Sequence, residues 1–144
     1  MKIFVPAAAV ALAVGASRPA ETHGAARCLA SPIPRGTYVK TIKKTDVPAN
    51  AKAIAGMWIW RPGRVPDRNC VYSNTFSQFV NGRPGFQEVH PFTVRSGSRV
   101  VFQGGNEPKG YYRVVPRGRF VLLVAIHDHY IRRLALTVHP WRRR

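Results

Sequence analysis

Turn-forming residues punctuate this chain too closely for long helices. Of its 144 residues, 12 are glycine and 12 are proline. They separate short runs rich in β-branched and aromatic side chains: TYVKTIKK (37–44), AGMWIW (55–60), CVYSNTFSQFV (70–80), FQEVHPFTV (86–94), RVVFQGG (99–105), GYYRVVP (110–116), RFVLLVAI (119–126) and RRLALTVHP (132–140). Eight such runs with turn signals between them predict an all-β fold, a small antiparallel barrel, with a sandwich as the second choice. No helix-length periodic segment lies between them, which argues against a parallel α/β sheet. Pro91 inside FQEVHPFTV predicts an edge or a bulge there. NGRPG (81–85) is a turn signal. Pro48 and Gly56 bracket a short helix over 49–55. A helix over 120–138 is the rival for the C-terminal segment. The unbroken apolar run from Phe120 to Val124 and the frequent β-branched residues favour two strands instead. His127-Asp128-His129-Tyr130 would then be the turn between them.

The N-terminus reads MKIFVPAAAVALAVGAS. A charged start, an apolar run and small residues at 14–16 and 24–26 predict a secretory signal peptide over 1–26, cut between 16 and 26. The run is too short for a membrane span, which needs about 20 apolar residues, and no later segment is a candidate. The domain plan is therefore an irregular segment at 27–36, a single β domain over 37–141 and a basic tail at 142–144. The two cysteines, Cys28 and Cys70, both survive such a cut. In an oxidising, secreted or periplasmic compartment an isolated pair predicts a disulfide. Arg27 directly before Cys28 does not suit a lipidated N-terminus.

Lys and Arg number 23 against 6 Asp and Glu, a formal charge of +17. Cleavage would remove Lys2, Arg18 and Glu21, lowering that by one. The five remaining acidic residues are scattered at 46, 67, 88, 107 and 128, which does not suit paired-carboxylate hydrolysis. Ser73, Ser77, Ser96 and Ser98 carry no nucleophile motif, and no phosphate loop or cofactor fingerprint is present. The reading is therefore a non-catalytic binder without a cofactor.

His127 and His129 raise the one enzymatic alternative. On a continuous strand they would share a face about 7 Å apart, close enough for one metal ion given a third ligand such as His90 or His139. A His-dependent or metal-dependent hydrolase of a phosphate-bearing substrate would follow. The competing expectation is a wet turn, with Asp128 bonding its own backbone. The flanking apolar runs favour the turn, so no metal ligand is assigned.

Basic residues cluster at Lys40-Lys43-Lys44, Arg61-Arg64-Arg68, Arg113-Arg117-Arg119, Arg132-Arg133 and Arg142-Arg143-Arg144. Tyr111, Tyr112, Tyr130 and Trp141 interleave with them, a pattern suited to phosphate contacts. The candidate contact residues are Trp58, Trp60, Tyr111, Tyr112, Arg113, Arg132 and Arg133. An exported protein meets an anionic polymer, a lipid head group or a small apolar ligand more readily than nucleic acid. A structural envelope protein holding anionic surfaces is the third class.

Gly56-Met57-Trp58 resembles the Gly-x-Trp signature of the lipocalins and their short calycin relatives, including bacterial lipocalin-like domains. GYYRVVPRGRFVLLV (110–124) is similar to the late strand pairs of those domains. The resemblance spans about 37–141, and the second family motif, Thr-Asp-Tyr between middle strands, is missing. It implies a barrel in which Trp58 packs across the closed end against a basic side chain from the last strand, here Arg132 or Arg133.

Overall fold

The computed structural model describes residues 27–103 and 106–144. The segment 1–26, expected to be a signal peptide, lies outside them. Nine strands form one antiparallel sheet: β1 Tyr38–Ile42, β2 Gly56–Pro62, β3 Asn74–Val80, β4 Arg83–Val89, β5 Phe92–Val94, β6 Arg99–Phe102, β7 Gly110–Arg117, β8 Phe120–His127 and β9 Trp141–Arg143. Among the described residues the α-helix, α1, spans Arg132–Thr137. Among the described residues no helix is long and apolar enough to cross a membrane.

The strand order is β4-β3-β2-β1-β9-β8-β7-β6-β5. The two outermost strands are consecutive in the chain, joined by His90-Pro91. Thr75 stands opposite Val89, and Tyr72 stands opposite Phe92, three residues further along each partner. The register therefore runs through the Pro91 break, and the sheet curls into a barrel. Pro91 has no N–H, so it marks the point where the strand leaves β3 for β6.

Alternation decides which side chains enter the barrel. In β1 Tyr38, Lys40 and Ile42 are buried. In β3 Asn74, Phe76 and Gln78 are buried. Rings from different walls meet at the centre: Trp60 of β2 lies 5.3 Å from Trp141 of β9, and Phe76 of β3 lies 6.2 Å from Phe102 of β6. Tyr38, Trp58, Phe92 and Tyr112 complete a ring-filled interior, each at most 1% exposed. Burial of each such ring contributes roughly 1.5–3 kcal/mol.

The short helix expected at 49–55 is a 3-10 segment, Ala49–Ile54, that covers one end. Trp58 Nε1 donates to Ile54 O at 2.8 Å. Gly56 begins β2 at φ +140, and a Cβ there would lie 2.7 Å from Phe79 O. The glycine of Gly-x-Trp is thus fixed by backbone conformation and by close strand approach. The expected turn after β3 is present, with Asn81 and Gly82 both at positive φ.

The segment 27–36 is irregular, as expected. It is held by the Cys28–Cys70 disulfide, whose Cα atoms are 5.3 Å apart, and by Tyr72 Oη donating to Leu29 O at 2.8 Å.

Two expectations are corrected. RRLALTVHP is not a strand: it forms α1, and its buried residues Arg132, Ala135 and Leu136 follow a helical spacing of three and four. Arg, Leu and Ala are compatible with a short helix, and the buried contacts of Arg132 with Asp128, Glu107 and Pro108 decide against the strand. His127-Asp128-His129 therefore joins a strand to a helix and is not a hairpin turn. The second correction concerns 142–144, which is no tail. Trp141, fully buried, anchors β9, which pairs with β1 and β8.

Candidate functional site

The strand-to-helix corner separates its polar side chains: the two histidines stay together on the surface and the aspartate turns inward. His127 and His129 are exposed, and Asp128 between them is 5% exposed. The expected backbone bond exists, since Tyr130 N donates to Asp128 Oδ1 at 2.9 Å. The expected hydration of the carboxylate does not. Arg132 Nε donates to Asp128 Oδ2 at 2.8 Å, and Tyr112 Oη donates to the same oxygen. Burial would raise the Asp128 pKa, but the bonds from Arg132, Tyr112 and the Tyr130 amide outweigh it and hold the carboxyl below its ordinary value. Burial and the Asp128 carboxylate push the Tyr112 hydroxyl far up.

Gly110 makes room for this pair. A Cβ there would collide with the Asp128 carboxylate and lie 2.9 Å from an Arg132 guanidinium nitrogen. The network continues outward. Arg132 lies 3.3 Å from Glu107, and Glu107 lies 3.4 Å from His90 Nδ1. His90 Nε2 lies 3.1 Å from Glu88. Three acidic residues scattered in sequence thus converge on one histidine and one arginine. Arg132 and Asp128 are the buried charges of this network and need their bonds; Glu88 and Glu107 are about one-third exposed, and the buried His90 Nδ1 has no hydrogen-bond partner among the described residues.

A second buried cation sits on the other side of α1. Lys40 Nζ donates to Leu136 O at 3.1 Å and Val138 O at 2.6 Å, and lies 4.1 Å from the Trp141 ring centroid. It satisfies carbonyls left open at the helix C-terminus. Burial lowers its pKa well below the usual lysine value.

The sequence-predicted contact residues divide accordingly. Trp58 and Trp60 are core rings, 1% and 0% exposed, and Tyr112 and Arg132 belong to the buried network. These four candidate contacts are interior residues and do not reach the outer surface. The expected partner of Trp58 is also corrected: Arg132 lies over Tyr130 at 5.4 Å, because Asp128 and Glu107 hold its guanidinium there. Arg133 is exposed, and the cation over a tryptophan is Lys40 above Trp141. Tyr111, Arg113 and Arg133 do reach the surface.

The exposed histidines have ring centroids 4.8 Å apart. The proposed third ligands lie elsewhere: His90 is in the acidic network, and His139 Nε2 bonds Asp46 at 2.8 Å. Among the described residues no group of three His, Cys, Asp or Glu is placed to hold a metal ion.

On the outer face, the structure gathers residues that spacing alone kept apart. A cleft is lined by Arg95, Arg99, Val100, Tyr111, Ile126 and His127. Arg95 lies over the Tyr111 ring at 5.9 Å, and the His127 ring is 6.4 Å from it. Arg99 on β6 stands directly opposite Arg113 on β7. Arg95 and Arg99 were missed because they flank an ordinary Ser-Gly-Ser turn. Their closeness to Tyr111 and His127 comes from strand order and from the register shift at Tyr111/Tyr112.

No protein-family model, no curated protein and no solved structure matches this chain.

Proposed function

We propose that this is an exported, non-catalytic barrel protein that binds anionic envelope components or anionic polymers through its outer surface. The observation that carries this reading is the partition of charge and rings. Aromatic side chains fill the interior where a small apolar ligand would otherwise sit. All five carboxylates of the described residues are engaged: Asp46 with His139, Asp67 with the Asn69 and Val71 amides, and Glu88, Glu107 and Asp128 in the buried network. Among the described residues only Lys40 and Arg132 of the lysines and arginines are buried, so nearly all of their positive charge faces outward. Such a surface attracts phosphate- and sulfate-bearing polymers over long range. The disulfide and the expected leader support a location outside the cytoplasm.

The test is a parallel titration of the purified, oxidised protein with heparin and with a fatty acid. Heparin binding that weakens as salt rises, without fatty-acid binding, supports the reading. Stoichiometric fatty-acid binding in the interior would restore a lipocalin-like role and overturn it.

A further inference from the structure

The β6–β7 cleft contains an arrangement that folding alone does not favour. Arg99 and Arg113 are directly opposed strand partners, both exposed. Like charges at such positions destabilise a sheet. Among the described residues no ion pair involves Arg95, Arg99 or Arg113. Arg95 is held beside them by the turn, its N–H donating to Arg99 O at 2.8 Å. Tyr111 lies beneath it, and His127 and Ile126 form the opposite side of the cleft.

The geometry points to a phosphate-monoester site here, one that takes the terminal phosphate of a sugar phosphate or of a phosphate-headed lipid. This rests on the outer-surface reading above and narrows it to one site and one chemical group. The two guanidinium groups and the imidazole that line the cleft offer more donors than the two oxygens of a carboxylate can accept, and Arg113, the cross-strand partner of Arg99, adds positive charge beside it. A phosphate monoester has three terminal oxygens and up to two negative charges, and guanidinium forks bind it in a bidentate way. A bound dianion would also offset the repulsion between Arg99 and Arg113. The carbon skeleton of the ligand would lie along Ile126 and the edge of Tyr111, which carry the apolar part of the cleft.

The experiment compares the oxidised wild-type protein with R95A/R99A and with the charge-matched control R64A/R68A, whose side chains lie in the exposed loop before β3. Calorimetric probes are inorganic phosphate, glucose 1-phosphate and glucose. Wild type and control should bind the two phosphates and not glucose. R95A/R99A should bind about tenfold or more weakly, the loss expected for two charge-assisted contacts. Its melting temperature should equal or exceed that of wild type, which separates lost binding from lost folding. Phosphatidylcholine vesicles carrying phosphatidic acid separate the two sources: binding to them, lost in R95A/R99A, assigns the membrane-borne phosphate, and binding to glucose 1-phosphate alone assigns the soluble one. Equal binding by wild type and R95A/R99A, or an equal loss in the control, overturns the site. Heparin retention distinguishes the two claims. Retention with an overturned site leaves the outer-surface reading standing, and no salt-sensitive retention by wild type removes both.

Discussion

Arg132 Nε and Asp128 Oδ2 lie 2.8 Å apart, and both side chains are 1% exposed. A surface aspartate at a turn would tolerate replacement. A buried, paired one does not, because its loss leaves a guanidinium desolvated with half its partners. Asp128→Ala should therefore destabilise the protein by about 3–5 kcal/mol, measured by urea unfolding. A change within ~0.5 kcal/mol, as for an exposed site, would show that the pair does not hold the corner.

The same pair sets an acid limit. The folded pKa of Asp128 lies below its ordinary value, so folding favours the ionised form. The stabilisation is complete above the unfolded value of about 4 and is lost as pH falls through the lower folded value. Wild-type stability should drop below about pH 4, and part of that drop should be missing in Asp128→Ala. Parallel acid profiles in the two proteins would contradict it.

Lys40 yields a different expectation. Its ammonium joins β1 to the C-terminal carbonyls of α1. Lys40→Met keeps the apolar stem and leaves Leu136 O and Val138 O without that donor. A loss of about 1–3 kcal/mol is expected from the unsatisfied carbonyls. Unchanged or increased stability would mean that the desolvation of the charge outweighs its bonds.

The Cys28–Cys70 bridge spans 42 residues of sequence, and for a loop of that size the chain-entropy relation gives about 4 kcal/mol. The paired Cys28→Ser, Cys70→Ser variant should unfold at correspondingly lower denaturant. Mass spectrometry of the unreduced wild type should find no free thiol; two free thiols would remove the staple.

The barrel was legible in sequence because short β-rich runs and Gly/Pro turns report strands directly. Pro91 marked the point where the sheet turns back on itself, and Asn81-Gly82 marked a tight turn. The helix at 132–137 was not legible in the same way. Leu134, Ala135 and Leu136 suit a buried strand as well as a short helix, and the deciding contacts are tertiary: Asp128, Glu107 and Pro108 around Arg132. The buried network was hidden for the same reason. Glu88, Glu107 and Asp128 are twenty or so residues apart, and only strand order brings them together. Gly110 was the local trace of it, a glycine in a strand where a side chain would strike the ion pair. Of the candidate contacts, Trp58 and Trp60 could not be assigned to inside or outside from composition, since both suit either face of a strand.

The most direct measurement is the affinity for a defined anionic oligomer as a function of salt, using the oxidised protein. Counterion release makes log K fall linearly with log salt, by roughly 0.7–0.9 per phosphate contacted. An outer surface that engages several anionic groups at once should give a slope steeper than about −3. A slope near zero, or binding too weak to follow even at low salt, would contradict the proposal that this filled barrel works by reading anions on its exterior.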